Sequence, residues 1–572
     1  MEGFRGRIAK LMLIFFIAAL LLTLRLGWLQ LVRGRELAAL AANYHRRIVF
    51  YRWGHGGEGR GAILDRNLRP LTEAILQQGV AVFPALGSKE EDYEFWLKEL
   101  SRWTNLDPEE IVLRASLRRA LPLLRPLPEG INLPHWILPV EGVWDKEGRF
   151  QRYSYGDLAC HVLGFVSLPF SGEEVSGRLV GRLGIEKAFD DILRSKRPGV
   201  AALVDAQDRL IKGLGYRSTV LPADQGNVVL SLDLEIQQQV EKIYDKYISA
   251  DWVPSFGAIV VMDPDSGEVL AMVSRPAIAG ANYQHNRATR KSDNTALLPL
   301  ASVVKVITAA AALEYNPELY YARYTCTGSL TLGENEFKCV FGPHGDQDMT
   351  EALANSCNIY FAQLAMEVGG ERLLEMAEAM GLGRKPELGL PESEVGAGNL
   401  PDLKDLATSA GLANHFAMGG NKMEGTPLQV ATMLSCVANG GYYVEPRLLL
   451  AVNQDPGGPL RTPAVKRERI MGTTTAQLLA RMMHMAVAAG SAGSFNHSSY
   501  PYAASALAAK TGTSDAGLPP RNYQIRWTGG FFPWRNPKYV VVYMAEVPYQ
   551  WKGKVHREQI VAEIVESLAK LK

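Results

Sequence analysis

The chain has 572 residues, 47% hydrophobic and 21% charged, a globular composition too long for one ordinary core, so two or three domains are expected. With 61 basic and 60 acidic side chains the formal net charge is +1, and no basic stripe is visible, which argues against a nucleic-acid binder. In chain order, the first feature is an apolar run from Leu11 to Val32, interrupted mainly by Thr23, Arg25 and Gln30. A helix of that length crosses a hydrocarbon core about 30 Å thick, so residues 11–32 are predicted as an uncleaved transmembrane anchor. The rival reading is a signal peptide cleaved near Ala39-Leu40-Ala41, which lies too far beyond the strongest apolar stretch, Leu11 to Leu24. Flanking charge leaves the orientation open, with Arg5, Arg7 and Lys10 before the run and Arg33, Arg35, Arg46 and Arg47 after it.

Residues 35–53 read as a continuing helix that gives way to a basic strand. The run Gly54 to Gly61 reads as a linker; a phosphate loop would need a strand before it and a helix after it. Residues 62–225 mix short strands and helices broken by proline and glycine, without a catalytic signature. The composition changes at Gly226. A strand over 227–233 is followed by a helix carrying Ile236, Val240, Ile243, Tyr244 and Tyr247 on one face. Runs 258–262 and 268–273 flank Asp263-Pro264-Asp265-Ser266-Gly267 and predict a hairpin. After a mostly helical stretch, 300–490, strands are expected over 505–512, 523–532 and 538–547. A terminal helix then carries Ile560, Val561, Ile564, Val565 and Leu568. Five strands, terminal helices and a helical insertion make an α+β domain.

The five cysteines form no disulfide scaffold and none has the spacing of a zinc site. Cys326 and Cys339 bracket a predicted hairpin, 330–335, and could bridge outside the cytoplasm, whereas Cys160, Cys357 and Cys436 read as small apolar packing residues.

Three short motifs lie in one order inside the α+β region. Ser302-Val303-Val304-Lys305 opens an apolar helix, Ser356-Cys357-Asn358 sits between helical segments, and Lys510-Thr511-Gly512-Thr513 ends a strand of small residues. Each is weak alone; their joint order is specific. A serine and a lysine three apart share a helix face, so the amine reaches the hydroxyl. A serine hydroxyl needs a base to become a nucleophile. A lysine serves as that base only when its pKa falls from about 10.4 toward neutrality, through burial or a second cation, for which Lys510 is placed. Ser356 can relay a proton to a leaving amine and Asn358 can hold a substrate backbone. Gly512 would let an extended peptide approach the strand, the N–H groups of Ser302 and Thr513 would form an oxyanion hole, and Lys510 and Thr511 would attract a terminal carboxylate.

This motif set resembles that of the class B penicillin-binding proteins, and the resemblance extends over essentially the whole chain. Arg60-Gly61-Ala62-Ile63-Leu64-Asp65-Arg66-Asn67 and Gly184-Ile185-Glu186-Lys187-Ala188-Phe189-Asp190 are similar to signatures of their non-catalytic pedestal. His344-Gly345, Thr426-Pro427-Leu428-Gln429 and Ala438-Asn439-Gly440-Gly441 match the transpeptidase pattern. Leu300-Ala301 stand where the family usually has Pro-Gly, and Met418-Gly419-Gly420 where it has Gly-Gln-Gly. The resemblance implies a penicillin-binding, serine β-lactamase-like transpeptidase domain, with an antiparallel five-stranded sheet and helices, over 226–572. It also implies a pedestal over 33–225, one transmembrane helix over 11–32 and a cytoplasmic N-terminus over 1–10.

The implied activity is peptidoglycan D,D-transpeptidation through an acyl-enzyme on Ser302, with Lys305, Ser356, Asn358 and Lys510 catalytic and Thr511, Gly512 and Thr513 binding substrate. No cofactor, metal or nucleic acid is expected. The partners are stem peptides on lipid-linked precursors, the membrane and a SEDS-family glycosyltransferase, with the bulk of the chain extracytoplasmic on a single-pass anchor. A β-lactamase would usually be smaller and lack the anchor, and no base for deacylation is assignable. A membrane-bound β-lactam-binding sensor would need a cytoplasmic signalling domain, and a bifunctional enzyme would need acidic glycan-polymerase motifs. A purely structural role leaves Ser302 and Lys305 as packing residues.

Overall fold

A computed structural model of the protein describes residues 2–29, 33, 47–51, 60–72, 77–82, 87–88, 90–116, 121–123, 127–128, 130–134, 136–142, 153, 155–167, 180–194, 200–204, 217–218, 226–248, 257–277, 298–340, 342–420, 422–453, 464–516, 523–548 and 557–571. The chain forms two compact units, one of Met1–Glu58, Ile75–Phe150 and Lys196–Ala223 and one of Gly59–Ala74, Gln151–Ser195 and Asp224–Lys572. Two stretches from within 33–225, Gly59–Ala74 and Gln151–Ser195, thus cluster with Asp224–Lys572. The cause lies inside the larger unit, where Arg60 Nε is 2.6 Å from Glu186 Oε2 and its Nη1 is 2.7 Å from Asp190 Oδ1. Ile63–Leu64 also runs parallel beside Asn227–Leu230, and Val162, Ile185 and Leu193 share that unit's core. The two pedestal-like signatures thus meet each other through one buried arginine.

The smaller unit begins with a helix, Glu2–Gly27. It stops short of the expected end at Val32, handing over to a wider turn in which Arg33 N–H reaches the Trp28 carbonyl at 3.1 Å. Glycine is a poor helix residue, and Gly27 marks the change. Residues 30–32, the rival cleavage site at 39–41 and the linker glycines 54–59 lie outside the described residues. Among the described residues, no helix is long and apolar enough to cross a membrane. Further along this unit, Gln77–Val82 is the centre of a three-stranded sheet with Leu121–Pro122 and Ile137–Gly142. Helices Tyr93–Thr104 and Pro108–Ser116 bury Leu100 and Ile111 with Val80 and Trp136.

The larger unit is organised by a five-stranded antiparallel sheet. Its strands are β1 (Gly257–Met262), β2 (Val269–Arg275), β3 (Ala508–Ala516), β4 (Tyr523–Phe532) and β5 (Tyr539–Pro548), in the order β2-β1-β5-β4-β3. Side chains alternate across a strand, and in β1 and β5 both faces are apolar. Ile259, Val261, Val541 and Tyr543 enter one core with α1 (Leu234–Tyr247) and the terminal helix α5 (Arg557–Leu568). Val260, Met262, Val542 and Met544 enter the other, with α2 (Lys305–Tyr315), α3 (Asn358–Val368) and α4 (Pro427–Ala438). Helix starts follow local chemistry: Asp233 accepts from the N–H groups of Glu235 and Ile236, and Thr426 with Gln429 forms a capping box on α4.

Strand β3 differs from the expected 505–512. Pro501 starts a short helix that runs to Ala506, so the strand begins at Ala508 and the Lys510 motif lies in its middle, not at its end.

Candidate active site

Strand β3 is an edge of the sheet, and its alternation sorts the motif. Ala508 belongs to the core on the α2 side and Ala509 to the other, so Lys510 and Gly512 continue the α2 face. The nucleophile turn meets them there. Ala301–Val304 is a single 3-10 turn leading into α2, and a Cβ at Gly512 would lie 3.1 Å from Val303 Cγ2 and 3.3 Å from Ala301 Cβ. Glycine at 512 therefore first makes room for the turn bearing Ser302, rather than for an incoming peptide alone.

The three motifs converge through their side chains. Lys305 Nζ donates to Ser302 Oγ at 2.7 Å and to Asn358 Oδ1 at 2.9 Å, and Asn358 Nδ2 donates to the Lys338 carbonyl at 2.8 Å. Lys510 Nζ donates to Ser356 Oγ and to the Thr511 carbonyl, each at 2.8 Å. Both lysines are completely buried. Burial is the main force lowering Lys305, to about 7, while the Cys339 and Cys357 thiols act in the opposite sense. Lys510 is pushed well below the ordinary lysine range by burial first, then by the cations of Lys305 and Arg557. Two buried amines in one site each disfavour the charged form of the other. Thr511 is buried, and Thr513 is exposed with its Oγ1 3.1 Å from Arg557 Nη1.

Two turns are held in backbone conformations that L-residues rarely adopt. Ser356 has φ 55° after the helix Met349–Ala354, and Ala301 has φ 51° immediately before the nucleophile. Left-handed geometry favours glycine, which explains why Ala301 stands out as a departure in the sequence comparison. Ala301 N–H is held by the Gly419 carbonyl at 3.1 Å, and a Cβ on Gly419 would fall 2.2 Å from the Ala301 carbonyl oxygen. Such strain is a feature of functional turns.

Sequence reasoning missed Arg557, whose Nη1 donates to the Gly512 carbonyl at 2.9 Å; an arginine in an amphipathic helix start carried no signal. It also missed a cluster next to Asn358. Hairpin Ser329–Leu332 with Asn335–Lys338 forms where expected, but Cys326 and Cys339 are free thiols, not a disulfide. Instead Cys326, Cys339, His344 and Cys357 bring four possible metal ligands within 4.8 Å of one another.

The penicillin binding protein transpeptidase domain matches residues 257–566. The chain is 28% identical over 455 residues to Stage V sporulation protein D of Bacillus subtilis, a match covering 77% of this chain and 66% of that protein. It is 25% identical over 491 residues to the peptidoglycan D,D-transpeptidase MrdA of Acinetobacter baumannii, covering 79% and 70%. Penicillin binding protein 3 of Mycobacterium tuberculosis, solved in complex with ampicillin, shares the fold with a TM-score of 0.62 and 21% identity, covering 90% of this chain and 95% of that one. Motif geometry, sheet order and sequence match agree: the chain belongs to the penicillin-binding protein transpeptidase family, and within it to class B.

Proposed function

We propose that this chain is a peptidoglycan D,D-transpeptidase in which Ser302 is acylated and Lys305 is its base. The carrying observation is the 2.7 Å contact between Lys305 Nζ and Ser302 Oγ, on an amine buried without a carboxylate hydrogen-bond partner among the described residues. Neutral Lys305 takes the Ser302 proton as Oγ attacks the carbonyl between two terminal D-alanines. The oxyanion is received by the N–H groups of Ser302 and Thr513. The C–N bond then breaks, the leaving D-alanine amine gains a proton relayed through Ser356 and Lys510, and the acyl group remains on Ser302. An amine of a neighbouring stem peptide attacks that ester, gives its proton back through Ser356 and Lys510 and forms the cross-link, while Lys305 returns its proton to Ser302 Oγ as the ester bond breaks. Asn358 holds Lys305 and would contact the substrate backbone, and the edge strand from Lys510 to Thr513 would bind the peptide that ends in the terminal carboxylate. A β-lactam is the abortive substrate of the same serine.

The names of the relatives support this reading, as do the neighbour's complexes with aztreonam and ampicillin. Purified wild-type protein should be labelled by fluorescent penicillin, and Ser302→Ala should show no label; equal labelling of both would refute the assignment.

The same proposal includes a single-pass anchor built on the N-terminal helix, with the remainder extracytoplasmic and the non-catalytic part of 33–225 serving as pedestal. Leu13, Phe15, Phe16, Leu20, Leu21 and Leu24 are all exposed along the helix, a distribution suited to lipid. Thr23 Oγ1 satisfies itself on the Ala19 carbonyl at 2.8 Å, and the Arg25 guanidinium lies 4.8 Å from the Trp28 ring, an interface-type pairing. A SEDS-family glycosyltransferase would supply nascent strands. Replacing residues 1–34 by an unrelated single-span anchor should keep penicillin labelling and impair cross-linking in cells. Full rescue of a depletion strain by that chimera would reduce the helix to a tether.

A further inference from the structure

Strand β3 carries the Lys510 motif on both its faces, and the terminal helix meets only one of them. Ala509 packs into the core that holds α5, so Thr511 and Thr513 continue that face, opposite to Lys510. Helix α5 opens with Arg557. Its Nη1 donates to the Gly512 carbonyl at 2.9 Å, to Thr513 Oγ1 at 3.1 Å and to the Trp527 carbonyl at 3.4 Å. Its Nε donates to Glu558 Oε1 at 2.5 Å, and its Nη2 has no acceptor among the described residues. The guanidinium is held in place beside an exposed threonine, with one N–H edge unused. Because Thr513 Oγ1 accepts from Arg557, its own proton is left to be donated elsewhere.

We propose, resting on the transpeptidase reading above, that Arg557 acts with the Thr513 hydroxyl to make the site selective for peptides that end in a free carboxylate. In that reading the Thr513 N–H is one half of the oxyanion hole, so the scissile carbonyl is bound at residue 513 itself. The carboxylate carbon of a terminal D-alanine is three bonds from the scissile carbonyl carbon, which keeps it within about 4 Å. It therefore arrives beside the Thr513 side chain. The hydroxyl donates to a carboxylate oxygen, and the guanidinium behind it supplies the positive charge. Arginine stays protonated, and hydrogen bonds to an ionised group are about twice as strong as neutral ones.

Lys510 is the cation that the motif alone suggests, and its position speaks against that role. It is completely buried, it faces α2, and its amine donates to Ser356 Oγ and to the Thr511 carbonyl, each at 2.8 Å. Burial first, then Lys305 and Arg557, disfavour its charged form. The two functions are divided between the faces of one strand: Lys510 holds Ser356, and Arg557 holds the charge. Arg557 is a positioning residue; no bond forms or breaks at it.

The test crosses one change in the protein with one change in the ligand. Benzylpenicillin carries its carboxylate on the carbon attached to the lactam nitrogen, as the terminal D-alanine does on the carbon attached to the scissile nitrogen. Its methyl ester removes that charge. Acylation of the full-length chain in detergent is followed by competition with fluorescent penicillin. Wild type should react about 10- to 100-fold faster with the acid than with the ester, the size of one hydrogen bond to a charged group. Arg557→Gln keeps an amide donor without the charge. It should slow the acid about tenfold or more and leave the ester within about twofold. A merely structural role for Arg557 would slow both ligands alike. Arg557→Lys keeps the charge without the planar fork and should narrow the acid-to-ester ratio severalfold; it carries the test if the glutamine variant does not fold. Equal rates for acid and ester in the wild type, equal slowing of both by Arg557→Gln, or an unchanged ratio in Arg557→Lys would overturn the proposal. Failure of the transpeptidase reading would look different, since neither ligand nor fluorescent penicillin would then acylate Ser302.

Discussion

Lys305 and Lys510 are chemically the same residue, both completely buried and both donating to a serine, at 2.7 Å and 2.8 Å. Their second acceptors differ. Lys305 meets the Asn358 amide oxygen, borne by a side chain that is itself anchored to the Lys338 carbonyl, whereas Lys510 meets its own strand through the Thr511 carbonyl. Their surroundings differ as well: thiols lie near Lys305, and two cations act on Lys510. For Lys305, burial is the force that lowers the amine, to about 7.

The largest effect that could break this comparison is loss of a removable proton. Arginine stays protonated, so Lys305→Arg should slow penicillin acylation by about 10²–10⁴-fold, the usual range for a general base. Lys510→Arg keeps a donor for Ser356 and should lose about tenfold or less. Equal losses, measured by stopped-flow acylation, would erase the distinction between the two amines. A smaller effect lies in pH. Because Lys305 acts as the neutral amine, acylation should rise with pH across a midpoint near 7 and level off above it. A rate flat between pH 6 and about 8 would remove Lys305 as the titrating base. The smallest effect is at Ala301, held at φ 51°. Relief of left-handed strain is worth about 1–2 kcal/mol, and the extra freedom of unfolded glycine takes back about 0.4–1 kcal/mol. Ala301→Gly should therefore stabilise by up to about 1.5 kcal/mol in chemical denaturation, leaving the lysine pair untouched.

Much of this architecture is legible in the sequence because it rests on local rules. The β1–β2 hairpin, β4, β5 and the terminal helix announce themselves by period and by turn residues. The serine–lysine contact follows from helical spacing. What the sequence hides is distance created by tertiary folding. Gly512 reads as space for a ligand until the approach of Val303 and Ala301 is known. Arg557 reaches the Gly512 carbonyl from the terminal helix, and Arg60 pairs with Glu186 and Asp190 more than a hundred residues away. The cluster of Cys326, Cys339, His344 and Cys357 needs one strand pairing and one hairpin before its members meet, so spacing rules pass over it.

The burial of Lys305 also makes the fold itself a pH-sensitive object. In the unfolded chain this amine would bind its proton up to about pH 10.4, and in the folded protein only up to about 7. Between those values the unfolded state holds more protons, so this group's contribution makes stability rise with pH by about 1.4 kcal/mol per unit. Its penalty is complete below the folded value and gone above the unfolded one. Many enzymes give up stability to place a reactive group, and the loss is greatest under the conditions where that group works. Here the sign is reversed: alkalinisation that makes the amine competent also firms the fold around it, and acidification removes both together.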